Sequence, residues 1–407
     1  MTIYKTRHVY FLLIAILLAS SQNLFSQSEG QSFLVNKKVP VIELSGDGYQ
    51  RGLQHGKTLK KEIAEIFSKW KHNIEVNTKQ NPDSVIMHFY SATNFIPAIK
   101  KWTPEIYNEL KGISESSGQS FRDVLCFQLV DEFWVYIDKL ENTTNHHCSG
   151  IGVAATNSHP AYIAQNMDLE SFMNGYQVLL HIAANKNEPE QYVLSCAGLI
   201  ALNGINSKSI GVCVNTLMEL KASTDGLPVA CVVRGILFQK DRANALKFVK
   251  SIKHASGQNY IIGTIDSVYD FEASAGKVER FLPNASDPLI VYHTNHAIAN
   301  DNIKPWYIES HKQRVSGETN NDNSVVRFIS LKSRLNLPAI SISDSVIKNT
   351  LRSKDDLQNP VCRAYKNGNS FFTFSSVLMT FGKNPSMQLT NASPDQSEFI
   401  LHTFKNN

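Results

Sequence analysis

Residues 146–171 read HHCSGIGVAATNSHPAYIAQNMDLES. Two short apolar runs, CSGIGVAA and AYIAQNMD, flank TNSHP, whose Asn, Ser and Pro mark a turn, so the pattern predicts a β-hairpin. Polar residues precede Cys148 and small ones follow it, which sets it apart from the other five cysteines. Cys126, Cys196, Cys213, Cys231 and Cys362 sit mostly in apolar surroundings such as SCAGL, GVCVN and VACVV and read as small core residues. No CxxC pair and no zinc-ligand spacing occurs, and His146 and His147 point to opposite faces of an extended chain. No metal and no cofactor is therefore expected.

The hairpin is where the chain changes character. Upstream, Leu59, Ile63, Ile66, Phe67, Trp70 and Ile74 recur at steps of three and four, predicting one helix from Gly46 to about Val76. IYNELKGISESSG reads as a second helix ending near Gly118, and SFRDVLCFQLVDEFWVYI as a third, capped by Ser120. Downstream, YQVLLHIAA, QYVLSCAG and SIGVCVNTL alternate with turns and predict an antiparallel meander. VACVVRGILF and RANALKFVKSI read as a helical pair. NYIIGTIDSVYDFEAS, KVERFL, FFTFSSVLMTF and SEFILHTF return to strands. Helices, strands, helices and strands without regular βαβ alternation predict an α+β architecture. Residues 295–324, NHAIANDNIKPWYIESHKQRVSGETNNDNS, form the longest polar stretch and read as an irregular loop near a site.

The 407 residues carry 40 basic and 36 acidic side chains, a formal charge of +4 with no dense basic run beyond the N-terminus. A nucleic-acid partner is not expected. The N-terminus itself, MTIYKTRHVYFLLIAILLASSQNLFSQ, has Lys5 and Arg7, an apolar run from Val9 to Ala19, and a polar exit. That order reads as a secretory signal over residues 1–26, giving an exported protein, periplasmic or extracellular, with no membrane contact after signal removal.

A cysteine at a strand start acquires a distinct chemistry if the chain is cut before it. Its thiolate becomes the nucleophile, and its own α-amine, with an ordinary pKa of about 7.7–8.0, becomes the base. Ser149, Gly150 and Gly152 would let substrate approach closely. Asp168 ends the strand paired with that of Cys148, so antiparallel pairing through a short turn returns a carboxylate to the thiol.

With GYQRGLQHGKTLK, CSGIGVAA…YIAQNMDLE, LNGINSKSIGVCVNTL, YHTNHAI and VCRAY in this order, the chain resembles the cysteine N-terminal-nucleophile hydrolases around acyl-CoA:6-aminopenicillanate acyltransferase, and more distantly the choloylglycine hydrolases. The resemblance runs from about Val41 to about Met379. It implies a four-layer αββα sandwich with a helical N-terminal segment, matured by self-cleavage between His147 and Cys148. Residues 27–147 would then be the light chain and 148–407 the heavy chain. It implies Cys148 as nucleophile, Asp168 as the carboxylate that orients the new α-ammonium and the substrate, Asn295 as an oxyanion donor, and Arg363 as a partner for Asp168 or a substrate charge. Asn206 and Asn215, in the meander, would line the substrate pocket. The implied activity is hydrolysis or transfer of the acyl group of a small-molecule N-acyl amide through a thioester. Two positions depart from the family: Gly150 follows Ser149 where Thr or Ser is usual, and His147 precedes the cysteine in place of a small residue. Two other readings stay open: a non-catalytic exported binding protein of the same fold, and a papain-like thiol hydrolase pairing Cys148 with His293 or His296.

Overall fold

The computed structural model describes residues 38–141, 147–285, 287–316 and 322–404. The signal segment at 1–26 and His146 lie outside them. The described residues open with strand β1 (Val41–Leu44), followed by seven helices: α1 (Gly48–Thr58), α2 (Lys60–Thr78), α3 (Pro82–Ala92), α4 (Ile96–Trp102), α5 (Pro104–Ser117), α6 (Phe121–Gln128) and α7 (Val130–Glu141). The single helix expected from Gly46 to Val76 is thus two, parted at Leu59, because its halves bury different surfaces. On α1, Gly48, Gly52 and Gly56 recur every four residues and form a flat stripe against α5. A Cβ on Gly52 would lie 2.0 Å from the Glu109 carbonyl oxygen. On α2 the stripe from Ile63 to Ile74 is large, apolar and buried. Asp47 and Gln50 close a reciprocal capping box at the start of α1. The third predicted helix is likewise two, parted at Leu129, and β1 carried no recognised sequence signal.

The remaining strands are β2 (Ser149–Val153), β3 (Tyr162–Glu170), β4 (Gln177–Ile182), β5 (Gln191–Cys196), β6 (Asn203–Asn206), β7 (Gly211–Thr216), β8 (Gln258–Gly263), β9 (Val268–Ala273), β10 (Val278–Arg280), β11 (Ile290–His293), β12 (Phe371–Thr380), β13 (Ser386–Leu389) and β14 (Ile400–Thr403). They form an eight-stranded sheet, β1-β4-β5-β6-β7-β8-β9-β10, and a six-stranded sheet, β11-β2-β3-β12-β13-β14. The hairpin and the meander, continuous in sequence, therefore belong to different sheets, and the chain crosses between them at Ser171–Met173.

The sheets pack face to face where small residues allow it: a Cβ on Gly150 would lie 2.8 Å from the Ile261 side chain of the other sheet. Helices α8 (Val229–Leu237) and α9 (Arg242–Ser251) follow β7, and α8 covers β6 and β7. Helices α10 (Ile308–Ser316), α11 (Asn323–Arg334) and α12 (Asp344–Leu351) lie between β11 and β12. Leu331, Ile347 and Leu351 of the last two, with Leu335 capping α11, pack with Ile151, Val153, Tyr162 and Ala164 on the outer face of the hairpin. The layers are helix, sheet, sheet and helix, so the α+β, αββα expectation holds. The stretch expected to be irregular is in part helical: α10 lies inside it and α11 begins at its end. Among the described residues, no helix is long and apolar enough to cross a membrane.

Candidate active site

Strands β2 and β3 pair with Ser149 opposite Asn166, which brings Cys148 level with Met167. Cys148 Sγ lies 3.7 Å from Met167 Sδ and 3.9 Å from the Asp168 carbonyl oxygen. Pairing therefore delivers the predicted neighbourhood, with one difference. β3 continues to Glu170, so Asp168 lies inside the strand, opposite Thr373 of β12, and not at its end. Cys148 as a whole is only 7% exposed. Burial, then the charge of Asp168, pushes its thiol up to about 12.

The backbone of Cys148 is held as closely as its side chain. Its N–H donates to Asn295 Oδ1 at 2.7 Å. Its carbonyl accepts from Arg327 Nη1, which also donates to Ser149 Oγ at 3.0 Å. Arg327 Nη2 donates to Asn295 Oδ1 at 2.9 Å, and Asn295 Nδ2 donates to the Thr216 carbonyl at 3.1 Å. Two donors on one side and an acceptor on the other fix the orientation of the Asn295 amide. The Asn295 N–H donates to Ser324 Oγ at 2.6 Å, tying the turn after β11 to the first turn of α11.

Asp168 is wholly buried, and burial raises its carboxyl to about 7 against the opposing pull of Thr373, Arg327 and Arg363. Arg363 Nε stands 4.0 Å from Asp168 Oδ2. Among the described residues, neither Asp168 oxygen meets a donor in good hydrogen-bond geometry, although the Thr373 hydroxyl is close enough to pull on the carboxyl, and Arg363 Nε and Nη2 have no hydrogen-bond partner. Buried polar groups are normally satisfied, so this pair holds unspent donors and acceptors beside the thiol.

The two meander asparagines separate. Asn215 adjoins Thr216 between the sheets, its amide has no partner among the described residues, and a Cβ on Gly150 would approach its Oδ1 to 3.0 Å. A Thr or Ser at 150 would have to displace Asn215 or Ile261, which accounts for that departure from the family pattern. Asn206 instead lies at the other end of β7's hairpin. It donates to the Leu237 and Gln239 carbonyls and accepts from the Lys208 and Ile210 amides, so its amide is spent on the turn. The structure does not bring it to Cys148.

Neither candidate histidine serves the thiol. His293 spends Nε2 on Glu272 at 2.8 Å and Nδ1 on the Thr294 carbonyl at 2.9 Å. Burial pulls it down, but Asp270 and Glu272 outweigh this and raise it to about 9. His296 places Nδ1 2.8 Å from Ser324 Oγ, and burial lowers it to about 3. Arg51 and His55 are packing residues: Arg51 pairs with Glu109 and Glu188, and His55 accepts from the Gly198 amide.

Two residues at the site went unrecognised in the sequence. Arg327 is fully buried on α11 and touches four side chains or carbonyls around Cys148. Asp131, in the first turn of α7, accepts from Thr216 Oγ1 at 2.6 Å and Gln258 Nε2 at 2.8 Å, and so buttresses the strand end that holds Asn295. The available signal for Arg327 was its place on the apolar stripe Val325, Phe328 and Leu331.

The model of the family "acyl-coenzyme A:6-aminopenicillanic acid acyl-transferase" matches residues 154–380, beginning just past Cys148. Protein dcd1B of Dictyostelium discoideum is 25% identical over 226 residues, and the match spans 50% of this chain and 43% of that protein. Among solved structures, the chain is similar to a Caenorhabditis elegans N-acylethanolamine-hydrolyzing acid amidase ortholog, with 16% identity, 57% of this chain and 92% of that one covered, and a TM-score of 0.38. A variant of the conjugated bile acid hydrolase of Clostridium perfringens gives 13% identity, 64% and 97% coverage and a TM-score of 0.42.

Proposed function

The chain belongs to the acyl-coenzyme A:6-aminopenicillanic acid acyl-transferase family, whose chemistry is amide hydrolysis or acyl transfer, and from that membership we infer an exported cysteine amidohydrolase matured by self-cleavage before Cys148. The observation that carries this reading is the treatment of the Cys148 backbone. The backbone groups of this buried residue must be paired, and two polar side chains do it: the N–H donates to Asn295 Oδ1, and the carbonyl accepts from the charged Arg327 Nη1. The atom that would become the α-amine already sits in a polar seat.

In the proposed reaction the α-amine takes the thiol proton as Sγ attacks the carbonyl of an N-acyl amide. The second Asn295 Nδ2 hydrogen and a backbone N–H stabilise the oxyanion. The amine leaving group departs with that proton, and water resolves the thioester to release the acid. Asp168 receives the α-ammonium, Arg363 holds Asp168 or a substrate charge, and Arg327 fixes Cys148 and Asn295 relative to each other. Asn215 lines the pocket. Water is the acceptor favoured here, since an exported protein rarely meets acyl-coenzyme A, and a small-molecule N-acyl amide is the substrate class.

Intact mass and N-terminal sequencing of the purified protein test maturation, with a heavy chain starting at Cys148 expected. Amidase activity in an uncut chain, or undiminished activity in Cys148→Ala, would sink the mechanism.

A further inference from the structure

His147 departs from the small residue that the family resemblance leads one to expect before the cysteine, and the structure gives its ring a seat. Its Nδ1 lies 2.7 Å from Asn323 Oδ1, and its edge meets the Phe371 ring at 5.1 Å between centroids. The same Asn323 oxygen accepts from Arg327 Nε at 2.9 Å, one turn along α11, while Asn323 Nδ2 donates to Asn359 Oδ1 at 2.9 Å. With Nδ2 committed to Asn359, Oδ1 faces His147 as an acceptor, and His147 must present Nδ1–H. The oxygen therefore links the residue before the bond to the arginine that holds the carbonyl of the residue after it.

We propose that Asn323 is a positioning residue for maturation: with Arg327 it clamps both residues of the His147–Cys148 bond, and the His147 ring is the handle it grips. The inference rests on the self-cleavage reading above. In that step a Sγ–C bond forms at the His147 carbonyl and the C–N bond breaks. The thiol proton passes to the Cys148 nitrogen, leaving a thioester and a free α-amine. One water then hydrolyses the thioester to the His147 carboxylate and restores the thiol. Intramolecular attack of this kind depends on holding the reacting atoms near van der Waals contact. Residues 147 and 148 are adjacent in sequence, so freedom about the bonds joining them is the main thing to be removed. Two side chains one helical turn apart, each gripping one of the two residues, remove it.

The test follows cleavage of full-length protein over time by intact mass in wild type, Asn323→Ala, Asn323→Asp and His147→Ala. Loss of the contact is expected to slow cleavage by about tenfold in Asn323→Ala and in His147→Ala. Asn323→Asp keeps an oxygen for both donors and is expected to stay within about threefold of wild type, a rescue that a general packing role would not produce. Cleavage at the wild-type rate in both alanine variants overturns the inference, as does an aspartate variant as slow as the alanine one. If Asn323→Ala does not fold, His147→Ala, at the other end of the same contact, decides. An uncut wild-type chain overturns the maturation reading itself, and is distinguished by appearing without any substitution.

Discussion

Asn295 offers the sharpest dissection, because its two amide atoms face different tasks. Oδ1 accepts from Cys148 N at 2.7 Å and Arg327 Nη2 at 2.9 Å, and Nδ2 donates to the Thr216 carbonyl at 3.1 Å. Asn295→Ala leaves the Cys148 N–H and the Thr216 carbonyl without partners, at about 1–3 kcal/mol each, so a loss of about 2–6 kcal/mol of stability is expected together with failure to mature. Asn295→Asp keeps an oxygen opposite Cys148 N and the Arg327 guanidinium, and loses only the donor. It is therefore expected to be cut like wild type. Its mature turnover should fall about 10²–10³-fold, the usual cost of one oxyanion donor, roughly 2.7–4 kcal/mol of barrier, with KM changed much less. Intact mass reads the cut, and steady-state hydrolysis of an N-acyl aminocoumarin amide reads turnover. A fully cut Asn295→Asp enzyme turning over within about threefold of wild type would refute Nδ2 as the oxyanion donor. An Asn295→Asp chain that folds with wild-type stability yet stays uncut would refute Oδ1 as the seat of the Cys148 nitrogen.

Arg327→Lys replaces a fork that reaches Cys148 O, Ser149 Oγ, Asn295 and Asn323 with a single ammonium, and is expected to lower both cleavage rate and turnover by at least about tenfold. Time-resolved mass and the same coumarin assay check this, and a fully active lysine variant would show that charge alone suffices. Gly52→Ala sets a Cβ against the Glu109 carbonyl oxygen, forces α1 and α5 apart, and should cost about 1–3 kcal/mol, read as a lower midpoint in urea. Stability should also fall as pH rises. His293 is raised to about 9 in the fold, so the folded state holds a proton that the unfolded chain releases near its ordinary value of 6.5. The stabilisation is complete below pH 6.5 and is lost as pH climbs through 9. The buried carboxyls Glu132, Asp168, Glu170 and Asp270, each raised to about 7, add to the decline up to that pH. His55, His254 and His296 are lowered, so the stability they contribute is lost only as pH falls below 6.5. A melting temperature that rises from pH 6.5 to 8, or a decline that His293→Gln does not flatten, would contradict this assignment.

The hairpin and the meander were legible because each strand is short, alternating or small-residue-rich, and bounded by turn formers. Which sheet each joins was not, since that depends on the crossing at Ser171–Met173 and on contacts far apart in sequence. The breaks at Leu59 and Leu129 were hidden because apolar spacing continues through both and only the packing partner changes. Asn206 and Asn215 show the same limit at the site. They are one residue type on neighbouring strands, yet one satisfies a turn and the other faces the hairpin, and no local pattern distinguishes them. Arg327 escaped because α11 follows a stretch whose polarity reads as loop. The Asp322 cap and the stripe Val325, Phe328, Leu331, Leu335 mark a helix, but an arginine on it reads by type as a solvated charge unless its buried partners are known.

In the uncut chain the site is chemically quiet for reasons that the proposed cut would remove. Burial and Asp168 hold the Cys148 thiol at about 12, so it stays protonated at neutral pH, and burial holds the Asp168 carboxyl near 7, where it is only partly ionised. Both shifts share burial as their largest cause, which outweighs the pull of Arg327 on each group and of Arg363, 4.0 Å from the carboxylate, on Asp168. Cleavage would turn the Cys148 amide nitrogen into an amine that can carry a proton in the same place. An ammonium there favours the ionised forms of both neighbours, because an opposite charge within a few ångströms stabilises an anion. That ammonium would also offer the Asp168 oxygens a stronger donor than the neighbouring Thr373 hydroxyl. On the proposed reading the same step would create the base, lower the thiol and pair the carboxylate, tying the onset of activity to the severed bond without requiring any other part of the fold to move.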